Sequence, residues 1–452
     1  MNNSYDVAII GAGISGSALF YALTHYTNIQ RVVLLEKYSE PATLSSSGNN
    51  NSQTIHAGDI ETNYPFEKAK KVARDAELLV SYALFHNLQN KSIFEYQKMA
   101  IGVGDEEVEF MKKRHQEFQE IFPNLEFFTK DTLREIEPNV VKMLDGSDRV
   151  EDIVGSGSRK AFCAMNFHAV SNHMIEQSLF GEHKLICNFK VTDIIEQGDG
   201  AYTLKAPGQP PITASFVLVD AGAHSLVLAQ NMGYGLDLGC LPISGSFYFI
   251  PGNKLQGKVY TVQNPKLPFA AIHGDPDIIA TGKTRLGPTA LSLPKLERFK
   301  SGTFLEFLKV SGFGELSTAK IMWDLISDRE IRNYILRNFI YEIPSIGRKY
   351  FWEEAKKIIP SIQPHELSYA SGFGGIRPQV LDKTQKKLIF GEKKIKSNKG
   401  ITFNMTPSPG ATSCIKNALV DMLEIVEYLG KEIKMDKIKE ELKEESLEWV
   451  LE

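Results

Sequence analysis

The chain has 452 residues, a formal net charge of -4 and a pI near 6.3, which argues against nucleic-acid binding by bulk electrostatics. Its length allows two or three units with cores of their own, and the low-hydrophobicity signature of disorder is absent. Four scattered cysteines, Cys163, Cys187, Cys240 and Cys414, lack CxxC spacing, so neither a metal site nor a disulfide framework is expected and a reduced, cytosolic compartment fits best.

The first strand is expected from about Tyr5, which leaves no room for a signal peptide. No apolar run of about 18 residues suggests a membrane span. "YDVAIIGAGISGSALFYALTHY" (5–26) reads as strand, tight turn and helix. Gly11, Gly13 and Gly16 form GxGxxG: Gly11 makes the turn, Gly13 admits a pyrophosphate, and Gly16 lets the helix pack on the strand. Ser15 stands in the first turn of that helix, whose free N–H groups and dipole favour phosphate.

"RVVLLEK" (31–37) is a second buried strand. It ends in Glu36 and Lys37, with Glu36 twenty residues after Gly16, where a carboxylate binds ribose hydroxyls and disfavours a 2′-phosphate. The motif alone leaves NAD and FAD open. The next segment favours flavin: instead of regular βα units the chain enters "SSSGNNNSQTIHAGDIETNYP" (45–65), a polar run usually read as a solvated loop.

Further on, 185–222 reads as a short β-meander that returns to the main sheet near Phe216. "SFVLVDAGAHSLVLAQNMG" (215–233) reads as strand, Ala221-Gly222-Ala223 turn and helix. Strands of an antiparallel sheet are expected at 245–252, 258–263, 269–275 and 277–288, with helices after them. "SGFGGIRPQV" (371–380) precedes "ITFNMTPSPGATSCIKNALVDMLEIV" (401–426). In the latter, Gly410, Ala411 and Thr412 lie at the start of an amphipathic helix whose N-terminus suits the negative charge of a reduced flavin.

Together these pieces resemble the D-amino-acid-oxidase-like flavoproteins over nearly the whole chain. More closely, "SSSGNNNSQTIHAGDIETNYP", "LPISGSFYF", "GIRPQV" and "TPSPGATSC" look like the malate:quinone oxidoreductases, with L-2-hydroxyglutarate dehydrogenases as a sister group. The resemblance implies an α/β fold: a discontinuous Rossmann-like FAD-binding domain over 1–90, 150–230 and 365–430. A substrate domain with an antiparallel β-sheet and helices would take 91–149 and 231–364, and 431–452 would be a helical tail. It also answers why the polar loop is there: Asn50, Asn51, Ser52 and Gln53 would satisfy the acceptors of a flavin. Val191 would lie beside adenine.

For substrate the resemblance implies L-malate or a related 2-hydroxy dicarboxylate, and arginine suits its carboxylates. Arg377 is the first candidate, and Arg285 the second, with Lys283 competing. A histidine is the natural base for the hydroxyl proton; His273 and His56 are the candidates. No metal-ligand cluster is read. Electrons would pass from FAD to a membrane quinone, so the enzyme would sit peripherally on the cytoplasmic face of the membrane. "RNFIYEIPSIGRKYFWEEAKKIIP" (337–360), with Lys349, Lys356 and Lys357 among aromatics, would suit an interfacial helix as well as a packed one. Rival readings are an L-2-hydroxyglutarate dehydrogenase or oxidase, and a non-catalytic flavin-binding subunit of a membrane complex.

Overall fold

A computed structural model of the chain describes residues 3–263, 272–343, 346–389, 391–406 and 409–451. Three parallel strands, Ile212–Val219, Ser4–Ile10 and Val32–Leu35, organise the first sheet. Their apolar residues are continuous because both faces are covered. Val7, Ile9, Val32 and Leu34 meet the helices Ile14–Tyr26, Phe167–Ser178 and Cys414–Leu429. Ala8, Ile10, Val33 and Leu35 meet the hairpin of Asp193–Glu196 and Tyr202–Lys205 and the helix His224–Asn231. Lys184–Ile186 completes one edge, and Ile401–Met405 with Lys393–Ser397 the other. This is the expected Rossmann-like sheet, meander included.

A second sheet of eight strands runs in the order Ser368–Tyr369, Tyr248–Pro251, Lys283–Gly287, His273–Pro276, Lys258–Thr261, Ile93–Val103, Ile153–Met165, Glu126–Phe128. It is antiparallel apart from the pair Lys258–Thr261 with Ile93–Val103. The strand expected over 269–275 is described from His273; residues 269–271 lie outside the described residues. A third sheet joins Leu291–Ser292, Leu238–Ser244, Ile376–Asp382 and Lys387–Ile389.

These pairings redraw the expected boundaries. Residues 153–165, assigned to the flavin unit, form a long hairpin-like ladder with Ile93–Val103 in the second sheet. Ile376–Asp382 leaves the flavin sheet to pair with Leu238–Ser244. The 431–452 tail is not a separate unit: Ile438, Leu442 and Val450 are buried in the core under the first helix, and Tyr21 donates to Glu441 at 3.0 Å.

In the basic-aromatic segment, the packed alternative has direct contacts behind it. In the helix Ile346–Ile358, Phe351 is fully buried and stacked on Tyr248. Lys357 pairs with Glu107, and Lys356 pairs with Glu353 while lying over the Trp352 ring. One face of this helix packs on the second sheet, and Ile346, Arg348, Lys349 and Tyr350 are exposed.

Candidate functional site

A cavity of about 420 Å³ runs between the first and third sheets, within the size range of small-molecule sites. Its nucleotide end is built by the first turn. Gly11 adopts φ +108°, and a Cβ on Gly16 would lie 2.0 Å from the Gly11 carbonyl, so the turn and the helix approach only because both are glycine. Gly11, Gly13 and Ser15 line the cavity, while Gly16 packs behind it as expected. Glu36 is nearly buried at the cavity wall. Its carboxylate accepts from Ala12 N at 3.1 Å and Tyr38 N at 3.0 Å, which fixes it beside the turn. Ser46 Oγ accepts from Ile14 N at 2.9 Å.

Val191, Ala221 and Gly222 line the same end. Lys37 does too, yet its ammonium is taken by Glu297. Glu297 also meets Tyr38 and His224, and these partners hold its carboxyl well below the usual range although burial opposes it. Glu297 reaches in from the segment leading to the third sheet's helices and closes this end of the cavity. Sequence spacing gave no sign of it.

The polar loop is folded on itself. Asn50 Nδ2 donates to Leu44 O at 3.0 Å, and Asn51 Nδ2 donates to Ser45 O at 3.0 Å and Ser47 O at 2.8 Å. Those amides cap the loop's own carbonyls, so Asn50 and Asn51 line the cavity with side-chain N–H groups bonded within the loop, and Ser52 lines it beside them. A Cβ on Gly375 would lie 2.2 Å from Asn50 O, so the 371–378 turn packs directly on the loop.

Gln53 departs from the expected flavin contact. It has φ +52°, is fully buried, and donates to Gly48 O at 3.0 Å and Asp277 Oδ1 at 3.1 Å. Arg285 departs from the expected substrate cation in the same way. Its side chain is fully buried; it donates to Asn51 O at 3.1 Å and Ser52 O at 2.6 Å and faces Asp275 and Asp277, each at 3.3 Å. It therefore pins the loop to the second sheet and has no access to the cavity. Lys283 is exposed and lies over the Phe249 ring.

At the other end, Arg377 and His56 both line the cavity. Arg377 is partly exposed, and among the described residues its guanidinium has no carboxylate partner. Burial lowers its pKa from the ordinary arginine value, while the phenol of Tyr334 lies close enough to interact with it. A cation held without an anion at a cavity wall is a ready carboxylate site.

His56 Nδ1 lies 2.7 Å from Glu61 Oε1, and the other Glu61 oxygen accepts from Gly58 N at 2.9 Å. Burial alone would raise the Glu61 carboxyl, but the hydrogen bond and charge of His56, with Lys98 beyond, hold it below the usual range. Glu61 was missed in the sequence because an acid five residues after a histidine carries no fixed geometry in a loop. Thr412 Oγ1 accepts from His56 N at 3.0 Å, so Thr412 positions the histidine rather than lining the cavity. Gly410 and Ala411 do line it, just ahead of the helix Cys414–Leu429.

His273 is placed elsewhere than expected. It is buried in the second sheet, stacked on Tyr260 at 4.3 Å, and does not line the cavity. Burial pushes its pKa down to about 3, and among the described residues neither ring nitrogen has a hydrogen-bond partner. Asp220, read in the sequence only as a break in an apolar run, lines the cavity; burial first, then Asp421, raises its pKa. Among the described residues no cluster of His, Cys, Asp or Glu is suited to a metal ion.

A family model described as malate:quinone oxidoreductase matches residues 3–447. A probable malate:quinone oxidoreductase of Helicobacter acinonychis is 55% identical over 99% of this chain and 100% of its own length. The malate:quinone oxidoreductase of Helicobacter pylori strain 26695 is 54% identical over the same shares. A probable one from Campylobacter jejuni is 48% identical over 97% and 99%. Among solved structures, the L-α-glycerophosphate oxidase of Mycoplasma pneumoniae with FAD bound superposes with TM-score 0.64 at 18% identity, covering 95% of this chain and 96% of its own. Glycine oxidase of Geobacillus kaustophilus gives 0.62 at 16%, covering 93% and 95%.

Proposed function

The chain belongs to the malate:quinone oxidoreductase family, which oxidises malate with quinone as acceptor, and we propose that its cavity binds FAD with malate held between Arg377 and His56. The carrying observation is that an arginine without a carboxylate partner among the described residues and a carboxylate-backed histidine line the same cavity as the dinucleotide turn. The residues fit FAD. The Gly11–Ile14 turn and Ser46 suit a pyrophosphate, Glu36 a ribose, and the folded loop 44–54 with Gly410 and Ala411 the ring system. FAD, when bound, supplies the two-electron acceptor for oxidation at C2 and passes the electrons to quinone.

Arg377 grips a malate carboxylate through its planar fork and fixes the orientation of C2. His56 takes the C2 hydroxyl proton through the ring nitrogen that Glu61 does not occupy. Glu61 fixes the tautomer and stabilises the imidazolium that results. Asn50 and Asn51, already bonded within their loop, give a rigid wall that needs no reordering when substrate enters.

The quinone half-reaction brings the enzyme to a bilayer, where it sits peripherally on the cytoplasmic face. The unpaired state of all four cysteines supports that compartment. No helix among the described residues is long and apolar enough to cross a membrane. The experiment that tests the substrate reading is an anaerobic titration of the FAD-loaded protein with malate and with 2-hydroxyglutarate. Bleaching of flavin absorbance by malate supports it. Bleaching by 2-hydroxyglutarate alone makes it a 2-hydroxyglutarate enzyme, and no bleaching by either makes it a binding subunit.

A further inference from the structure

The loop that carries His56 and Glu61 is clamped from three sides. A Cβ on Gly58 would lie 2.6 Å from Ala69 O, so the loop lies directly on the helix Phe66–Phe85. At its far end Thr62 Oγ1 accepts from Gln263 N at 2.9 Å, just past the strand Lys258–Thr261. In its middle Asp59 accepts from Lys98 Nζ, which lies 2.9 Å from Oδ1 and 2.8 Å from Oδ2. Lys98 stands in the middle of the strand Ile93–Val103, and both side chains of the pair are buried.

The proton transfer at His56 does not by itself require this pair. A buried ion pair carries a heavy desolvation cost, and apolar residues of similar size often serve stability as well. Its placement points to a further task. Asp59 is two residues from Glu61, and the Lys98 ammonium is close enough for its charge to act on the Glu61 carboxylate. His56, Glu61, Lys98 and Asp59 thus run from the cavity wall into the second sheet as base, acid, cation and acid.

The other titratable groups around Glu61 and His56 are neutral, paired or screened. Burial raises the phenols of Tyr64 and Tyr260 and the thiol of Cys163, and lowers the imidazole of His273. Lys258, beside Lys98 across the strand pair, is taken by Asp275. Lys68 is exposed and lies over the Tyr64 ring, where solvent screens its charge. Arg377 faces the cavity, where a substrate carboxylate would meet it. Among the described residues, Lys98 is the buried cation that bears on Glu61.

We propose that Lys98 is a positioning residue for the proton transfer: its ammonium, held in place by Asp59, keeps Glu61 an ionised partner of His56 and favours the proton-free state in which His56 acts as base. The proposal rests on the reading of His56 as that base. An opposite charge at about 4–6 Å moves a carboxylate by roughly 1–3 pH units. Without Lys98 the His56–Glu61 pair holds its proton more tightly, so the acid limb of the rate profile moves to higher pH.

The test is anaerobic stopped-flow reduction of the FAD-loaded full-length protein across pH, at saturating malate so that the limb belongs to the bound complex. Lys98→Gln/Asp59→Asn replaces the ion pair by amides, and Lys98→Met/Asp59→Leu by apolar side chains. Whichever folds, its acid limb should lie about one pH unit or more above that of wild type. Lys98→Arg should keep the wild-type limb. In a Glu61→Gln background the same replacement should move the limb much less, because the charge acts through Glu61. The His56 imidazole, followed by nuclear magnetic resonance in histidine-labelled protein without malate and assigned with His56→Gln, should titrate at higher pH in the charge-removed variant. A limb and a His56 titration that stay at the wild-type pH in a folded variant, while His56→Gln abolishes the limb, overturn the proposal and leave Lys98 and Asp59 as a loop anchor. A limb that survives in His56→Gln strikes the reading of His56 as base, and the proposal falls with it.

Discussion

Glu61 holds His56 from behind: Nδ1 and Oε1 are 2.7 Å apart, and the same carboxylate is anchored by Gly58 N at 2.9 Å. A buried acid fixed by the backbone can orient a base without itself moving. Positioned general bases contribute roughly 10²–10⁴-fold. His56→Gln is therefore expected to slow anaerobic flavin reduction by malate by about that factor, and Glu61→Gln by roughly tenfold or more, with Glu61→Asp recovering part of it. His273→Phe, which keeps the stack on Tyr260, should stay within a few-fold of wild type. Stopped-flow flavin absorbance checks all four. A slow His273→Phe with a normal His56→Gln would exchange the two roles.

Arg285 illustrates how a cation in a promising motif can serve structure. With Asp275 and Asp277 both buried and facing it at 3.3 Å, Arg285→Met leaves buried carboxylates short of a partner. Breaking such a pair costs about 3–5 kcal/mol. The expected result is a marked fall in denaturant midpoint with little change in KM for malate among molecules that fold. Unchanged stability with a raised KM would return Arg285 to the substrate.

Glu36 accepts two backbone N–H groups and still lines the cavity. Glu36→Ala should weaken FAD retention by about 1–3 kcal/mol, the scale of a polar group left unpaired. Equilibrium dialysis of flavin reads it. Full flavin occupancy in the purified variant, with unchanged affinity, would show that the ribose is held by other groups.

Asp220 gives a pH signature. Burial, then the nearby Asp421, raises its folded pKa above the unfolded carboxylate value of about 4. A raised acid binds its proton more tightly when folded. Its contribution to stability is thus fully present below the unfolded pKa and is lost as pH rises through the folded one. Wild type should lose melting temperature between the ordinary carboxylate range and neutrality. Asp220→Asn should flatten that slope and melt higher than wild type at pH 8. Parallel curves for the two proteins would place the titration elsewhere.

The nucleotide half was legible because its physics is local. A buried strand, three glycines and an acid at fixed spacing define the turn, and Gly11, Gly16 and Glu36 behave as that pattern requires. The reaction end was legible only in part. Arg377 stood out by its glycine turn. Whether Arg285 or His273 reached the cavity depended on which way a strand residue points, and on what the second sheet packed around it. Asp275 and Asp277 neutralise Arg285 from positions 10 and 8 residues away, and Tyr260 buries His273 from a neighbouring strand. Glu61 and Glu297 were invisible for the complementary reason: each acts through a tertiary contact, one within a folded loop and one across 260 residues to Lys37. The polar loop is folded on itself, with the Asn50 and Asn51 amides bonded to its own carbonyls, an arrangement its composition does not reveal.

Arg377 carries the substrate assignment, because it is the cavity-lining arginine left without an anion among the described residues. Charge-assisted hydrogen bonds are worth roughly 1.5–3 kcal/mol each, and lysine cannot supply the planar pair. The direct measurement is anaerobic reduction of bound FAD by malate in wild type and Arg377→Lys at matched flavin occupancy. Arg377→Lys should reduce more slowly by one to several orders of magnitude at limiting malate, by the tenfold-per-1.4 kcal/mol rule, while dithionite still reduces the flavin fully. Near-normal reduction by malate in Arg377→Lys would contradict the assignment and require another group to hold the carboxylate.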